Sequence, residues 1–394
     1  MGFRACELFT LSADTARMPS PVSILHVHST FTLGGKEARA VRLMNLFGDH
    51  ARHTVLSGVA GAIGAREAID PGIDVAFPDD HPPLIGKPAP GRYRALARYM
   101  RRFDLVLTYN WGAMDAVMAR RLLGGPPLVH HEDGFNVTER DGPILKRSLF
   151  RRLAFPGAHA VVVPSERLER IARETWRQPA ERLRRIPNGI ALDRYAVSPA
   201  PDAIPGLVRR PGEVIVGTLA GLRPIKNLPR LVRAFAAAAG RNARLVIVGE
   251  GPEREAIACE AMRCGVMDRV LLPGFLADPA RYVGLFDIFA LSSDSEQFPI
   301  SLVEAMAAGV PAVSTDVGDV IAMVAAENRP FIAPLGDEDA LAAALRRLIA
   351  NEELRSAVGR ANRARAFAEY DEEAMVAAYH LVYDAAIGRA GALG

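Results

Sequence analysis

Short apolar, β-branched runs alternate with helical stripes from one end of this chain to the other, and that alternation leaves it few folds. The runs fall at 23–28, 53–57, 104–109, 128–131 and 158–163, then at 213–219, 243–249, 269–272, 287–292, 312–315 and 331–333. The most apolar, such as Ala160-Val-Val-Val163 and Leu245-Val-Ile-Val248, have the length of buried strands. Stripes such as Leu228, Leu231, Val232 and Phe235 supply the helices between them. This order predicts an α/β fold of parallel sheets covered on both faces.

A chain of 394 residues exceeds one ordinary core and suits two domains. The segment 197–212 holds four prolines and two glycines and can continue neither a helix nor a strand. The expected division is therefore a first domain over 1–200, with 1–20 disordered, a linker at 201–212, and a second domain over 213–394. Each domain reads as its own Rossmann-like, doubly wound sheet. Such sheets bind ligands at the carboxyl ends of their strands, so two facing sheets create one central cleft. The last helix, over 371–388, is amphipathic and can cross back to the first domain.

Composition narrows the function classes. Hydrophobic content of 49% with 24% charged residues is ordinary for a globular chain, and no apolar run is long enough to span a membrane. The first residues lack the apolar core of a signal peptide, and Met18 is a second candidate start. Three cysteines, Cys6, Cys259 and Cys264, without metal-ligand spacing suit reduced thiols and a cytoplasmic setting. Net charge is only +3, so nucleic acid is not an expected partner, but the charge is unevenly spread. Segment 81–125 carries eight Lys/Arg against two acids. Beyond it, Lys146, Arg147, Arg151 and Arg152 surround Leu145, Leu149 and Leu153, which share one helical face. That face is either a core stripe or a peripheral docking face for the inner, anionic surface of the cytoplasmic membrane.

Four segments can carry chemistry. In Ser293-Asp-Ser-Glu-Gln-Phe-Pro-Ile-Ser-Leu-Val-Glu304, Glu296 directly follows a strand and Glu304 lies in the first turn of a helix. Free N–H groups at that helix start suit phosphate, and the carboxylates suit sugar hydroxyls. Ser301 and Glu304 also have the spacing of a capping box, which gives Glu304 a purely structural alternative. In Gly221-Leu-Arg-Pro-Ile-Lys226-Asn227, Arg223 and Lys226 stand at a strand–helix junction where they can pair with phosphate, with Asn227 as N-cap. Gly34-Gly35 follows the first strand and lets backbone approach a ligand closely, without the spacing of a dinucleotide or P-loop motif. His130-His131-Glu132-Asp133 ends a strand, and its consecutive residues point alternately, which suits substrate contact better than metal. Asp337-Glu-Asp339 opens a helix, where capping and the helix dipole account for it.

Taken together these segments resemble family 4 of the retaining glycosyltransferases, which have the GT-B fold. The resemblance runs from about 23 to 385 and rests on the Glu296-x7-Glu304 element with Ala305-Met-Ala-Ala-Gly-Val-Pro after it. It also rests on Val246-Ile-Val-Gly-Glu-Gly-Pro-Glu253, Leu272-Pro-Gly-Phe275, Ile186-Pro-Asn-Gly-Ile190 and Gly34-Gly-Lys-Glu37. The likeness is greatest to bacterial members that build exopolysaccharide or other cell-surface glycans. It implies a nucleotide diphosphate sugar as donor and a glycan or lipid-linked acceptor, with neither cofactor nor metal. It further implies that Glu296 and His131 contact the donor sugar, with Asp133 the alternative to His131. Lys226 would hold the diphosphate, and Glu304 the ribose. Gly34 and Gly35 would lie near the phosphates and acceptor, Gly274 and Phe275 by the nucleobase, and Phe298, Pro299 and Ile300 against the donor.

Two positions depart from the family pattern. Gly221 stands where many members have Arg, leaving Arg223 to supply the charge, and Pro299 stands where Gly is frequent and removes a backbone donor. These departures motivate a rival reading as a catalytically degenerate donor-binding partner. A nucleotide-sugar epimerase on the same architecture is the other rival.

Overall fold

The computed structural model describes residues 20–87, 89–134 and 144–394. The segment expected to be disordered, 1–20, lies outside this set apart from Ser20, and so do Cys6 and Met18.

The first domain alternates as predicted: β1 (Val22–His28), α1 (Gly35–Phe47), β2 (Ala51–Ser57), β3 (Val75–Ala76), α2 (Pro90–Met100), β4 (Leu105–Tyr109), α3 (Met114–Leu123) and β5 (Leu128–His131). It continues through α4 (Leu145–Ala154), β6 (Ala160–Val163), α5 (Glu166–Glu174) and β7 (Leu183–Arg185). The second domain contains β8 (Val214–Leu219), α6 (Leu228–Ala238), β9 (Ala243–Val248), α7 (Arg254–Arg263), β10 (Val270–Gly274), β11 (Ile288–Leu291) and α8 (Ile300–Ala307). It ends with β12 (Ala312–Thr315), α9 (Val320–Met323), β13 (Ile332–Ala333), α10 (Glu338–Ala350) and α11 (Glu352–Glu369), followed by α12 (Glu372–Ile387).

The sheets run β3-β2-β1-β4-β5-β6-β7 and β10-β9-β8-β11-β12-β13, and their paired strands are parallel. Strand order reverses between β1 and β4 in one sheet and between β8 and β11 in the other. Crevices open outside the carboxyl ends at such reversals. The Gly34-Gly35 turn follows β1, Lys226 follows β8 and Glu296 follows β11, so these candidate segments share the switch points. Strands β6 and β11 are buried at every residue, which is why their sequences are continuously apolar.

Strands β3 and β7 were not expected. The first has two residues and the second reads Leu-Arg-Arg, too short and too polar for a periodic signal. The expected linker at 201–212 is also not where the chain changes sheets. Ile190, Leu192, Tyr195, Ile204 and Leu207 already belong to the core of the second domain. The crossing lies just before them, where Ile190 N–H donates to Tyr370 O at 3.0 Å and Glu372 N–H to Ile190 O at 3.2 Å. Two passages of the chain therefore run side by side between the domains. After the second passage, α12 packs Met375, Tyr379, Val382 and Tyr383 into the core of the first domain.

Helix α4 decides between the two readings of its leucines. Leu145, Leu149 and Leu153 are 81%, 54% and 58% exposed. The helix instead buries Ser148, Arg151 and Ala154. Arg151 donates to Glu132 at 2.9 and 3.2 Å and lies over the rings of Trp111 and Trp176. A buried ion pair thus anchors the helix, and its leucines form an outer ridge.

Candidate active site

The loops after β8 and β11 are stitched together. Ser292 Oγ donates to the carbonyls of Lys226 and Asn227, both at 3.0 Å, and Asp294 N–H donates to Ile225 O at 2.9 Å. Asn227 adopts φ 44° and makes no side-chain cap, contrary to expectation. Its amide reaches Asp294 at 3.2 Å, and Arg230 pairs with the same carboxylate at 2.7 Å. This framework places the Lys226 ammonium against Glu296 Oε1, which also accepts from Ser293 Oγ at 2.6 Å. A half-buried cation and carboxylate are thereby presented at the start of α8. Arg223 is exposed near them on the same loop.

Glu304 is no helix cap. Helix α8 begins at Ile300 with Pro299 as its N-cap residue and without a side-chain cap, so Glu304 lies beyond the first turn. The capping-box reading fails because the helix already begins at Ile300, which puts Ser301 inside the first turn rather than at the N-cap. Glu304 instead faces a cavity of about 570 Å³ between the domains, whose lining includes Arg39, Asn188, Tyr195, Asp278 and Ile300. Burial raises the Glu304 carboxyl to about 7; a hydrogen bond with Tyr195 opposes the shift and Asp278 adds to it.

The first domain contributes the opposite wall. Gly34 is the N-cap residue of α1, and a Cβ on Gly35 would lie 3.6 Å from Ile300 Cδ1. The N-termini of α1 and α8 therefore approach one another across the cleft, and both bring free N–H groups and positive dipole ends. Arg39, one turn into α1, grips Asp133 through both terminal guanidinium nitrogens and donates to Asn188 Oδ1 at 3.1 Å. Burial disfavours the charged form of Arg39, but Asp133 outweighs it and raises the pKa above the usual value. The Asp133 carboxylate is thus taken up by Arg39 rather than offered to a sugar.

His131 does not reach the cleft. It is 1% exposed, its Nδ1 meets Thr108 O at 3.2 Å, and its Nε2 meets Tyr383 Oη at 2.8 Å. Burial, with Arg39 and His130 nearby, holds its pKa well below the ordinary value, so the ring is neutral. The alternation that turns His130 toward Glu132 turns His131 into the seat of α12. Among the described residues, no three His, Cys, Asp or Glu side chains group as metal ligands would.

The remaining candidates spread along the second-domain rim. Gly274 has φ 92°, and a Cβ there would lie 3.0 Å from Glu250 Oε1. Phe275 beside it is 67% exposed, an aromatic face open to a planar ligand. Phe298 packs edge-on to Tyr370 at 5.6 Å and supports the loop from beneath. Sequence reasoning missed Arg39, Asn188, Tyr195 and Asp278. Arg39 had a faint signal, one helical turn beyond the glycine pair, and Asn188 lies in the Ile186-Pro-Asn-Gly-Ile190 segment; Tyr195 and Asp278 carry none, because only the fold brings them to the cavity.

Family comparisons agree with this geometry. The model of the Glycosyl transferases group 1 matches residues 202–365, and that of Glycosyltransferase Family 4 matches residues 33–194. N-acetyl-alpha-D-glucosaminyl L-malate synthase of Bacillus anthracis is 30% identical over 172 residues, 43% of this chain and 45% of that one. The alignment thus spans about half the length of that relative. A GDP-mannose-dependent alpha-(1-6)-phosphatidylinositol monomannoside mannosyltransferase of Mycobacterium tuberculosis is 29% identical over 299 residues, 72% of this chain and 77% of that one. The crystal structure of Anabaena Alr3699/HepE in complex with UDP superposes with a TM-score of 0.74 at 21% identity, covering 92% of this chain and 100% of that one. With both domains matched, two doubly wound sheets facing one cleft, and the paired glutamates at the second sheet's switch point, the chain belongs to family 4 of the GT-B glycosyltransferases.

Proposed function

We propose that this protein moves a sugar from a nucleotide diphosphate sugar to a glycan or lipid-linked acceptor, with retention at the anomeric carbon and without a metal. The observation that carries this reading is the Lys226–Glu296 pair held at the start of α8. A cation, a carboxylate and free helix N–H groups are what a sugar diphosphate requires of a site. The cavity beside the pair is only about 10 Å³. A phosphate therefore enters as the ammonium turns from Glu296 toward it, and this frees the carboxylate to accept from sugar hydroxyls.

In the reaction the bond from the anomeric carbon to the diphosphate breaks, and negative charge grows on the departing oxygen. Lys226, Arg223 and the N-terminus of α8 stabilise that charge. The acceptor hydroxyl attacks from the face the diphosphate leaves, and the departing phosphate takes its proton. Glu304 holds the ribose, and Gly274 and Phe275 receive the base. Domain closure keeps water from the anomeric carbon.

A role in cell-surface polysaccharide synthesis, at the inner face of the cytoplasmic membrane, completes the proposal. The outer leucine ridge of α4 supports membrane contact, and the mycobacterial relative's lipid-named substrate supports a lipid-linked acceptor. No described helix is long and apolar enough to cross a membrane. The test begins with a thermal-shift screen of nucleotide sugars, since ligand binding to the native state raises the melting temperature. Transfer from the best donor is then measured for Lys226→Ala and Glu296→Ala. Each variant is expected to lose about 10²–10³-fold in kcat; wild-type turnover in either overturns the mechanism.

A further inference from the structure

We propose that Asp319 is a positioning residue that ties the Glu296 loop to the first domain when the two domains are closed. Asp319 is the N-cap residue of α9, yet its carboxylate makes no cap there. It crosses to the first domain, where it accepts from the N–H groups of Glu166 and, at 3.0 Å, of Arg167. These are the first two residues of α5. The third N–H, of Leu168, goes to the helix's own cap, Ser165 Oγ, at 3.1 Å. The fourth, of Glu169, makes the first intrahelical bond to Ser165 O at 3.0 Å. The start of α5 is thus satisfied only when the second domain is in place.

The other side of Asp319 holds the signature loop. Its N–H donates to Gln297 O at 3.1 Å. Gly318, at φ 59°, packs so closely that a Cβ would lie 2.5 Å from Glu296 O and 2.7 Å from Gln297 O. Gln297 in turn presses on the first domain, where a Cβ on Gly134 would lie 2.7 Å from Gln297 Cγ. Gln297 is therefore clasped between the Gly318–Asp319 turn and the loop after β5, with Glu296 held beside it by Gly318. Parting the domains returns the Asp319 carboxylate and two α5 N–H groups to water and releases the clasp. Closure and placement of Glu296 are one event, with Asp319 the shared link.

The catalytic consequence rests on the transfer reading above; the mechanical coupling does not, so hydrogen–deuterium exchange on the full chain tests it separately. Asp319→Ala is expected to speed exchange about tenfold both at 164–170 and across the cleft at 292–300. Ser165→Ala, which removes only the local cap, is expected to speed exchange at 164–170 alone. Unchanged exchange at 292–300 in Asp319→Ala, or an equal rise there in Ser165→Ala, overturns the proposal by reducing Asp319 to a helix cap. With the best donor from the screen, Asp319→Ala is expected to lower kcat about tenfold with little change in donor KM, and Asp319→Asn to recover part of the loss. A rise in KM with kcat unchanged also overturns it.

Discussion

Glu296 and Glu304 are held in opposite ways, and the difference is open to measurement without any substrate. Glu296 pairs with the Lys226 ammonium and accepts from Ser293 Oγ, so it has partners where it stands. Glu304 faces the interdomain cavity hydrogen-bonded to Tyr195, with Asp278 nearby and no ion pair among the described residues, and burial raises its pKa to about 7. A carboxyl whose folded pKa lies above its unfolded value binds protons more tightly in the native state. Stability therefore falls as pH rises from about 4.3 through about 7, and the deficit is complete above that range. Glu304→Gln keeps an acceptor for Tyr195 and removes the titration. The variant should match the wild type near pH 4 and exceed it at pH 8.5 by up to roughly 4 kcal/mol. Thermal melts of both proteins at the two pH values check this; parallel curves would show that Glu304 is solvated after all. On the proposed reading, the same carboxylate accepts from ribose hydroxyls in its ionised form, which is the majority form only above that pKa.

At the scale of single elements, α4 carries the clearest expectation. Its outer ridge, Leu145, Leu149 and Leu153, is flanked by Lys146, Arg147 and Arg152, and the end of α3 adds exposed Leu122 and Leu123 beside Arg121. Apolar side chains that project from a cationic helix bury themselves at an anionic bilayer surface at about 25 cal/mol per Å² of apolar area. The protein should sediment with phosphatidylglycerol vesicles and not with phosphatidylcholine. Replacing all three α4 leucines by serine should weaken that binding about 100-fold. Because the leucines are exposed, folding stability should change by less than about 0.5 kcal/mol per site. Equal sedimentation of the variant would remove the membrane from the proposal. Amphipathicity was legible in the sequence, but its direction was not. The periodic leucines mark a face, and only the contact of Arg151 with Glu132 and two tryptophan rings shows which face turns inward. The same limit explains the errors at the site. Strand alternation and the Glu296-x7-Glu304 spacing are local and could be read. The burial of His131 depends on α12, which arrives from 252 residues away, and the placement of Glu304 depends on Pro299 starting α8 one residue before Ser301.

For the whole molecule, the defining feature is that each domain is completed by chain belonging to the other's stretch of sequence. Residues 190–207 leave the first sheet and build the second core. Helix α12 leaves the second domain and closes the first, with Tyr379 and Tyr383 buried against β4 and β5 and Met375 at the crossing. The two passages are joined where a Cβ on Gly189 would lie 2.4 Å from Asp371 O, so no larger residue fits between them. The first domain therefore cannot reach its full stability until the last residues have folded. Tyr383 tests this directly, because it is fully buried and its hydroxyl satisfies His131 Nε2 at 2.8 Å. Tyr383→Ala leaves a ring-sized cavity and should destabilise the protein by about 3–5 kcal/mol. Tyr383→Phe removes only the hydroxyl, leaves His131 unsatisfied and should cost about 1–3 kcal/mol. The chain has two tryptophans, Trp111 and Trp176, and both lie in the core region of the first domain. Tryptophan fluorescence during urea unfolding thus reports on that domain alone. Both substitutions should move the fluorescence transition to lower urea, the alanine more than the phenylalanine, although the altered residue follows the entire second domain in sequence. A fluorescence midpoint that stays in place while circular dichroism shifts would show instead that α12 stabilises only the domain it leaves.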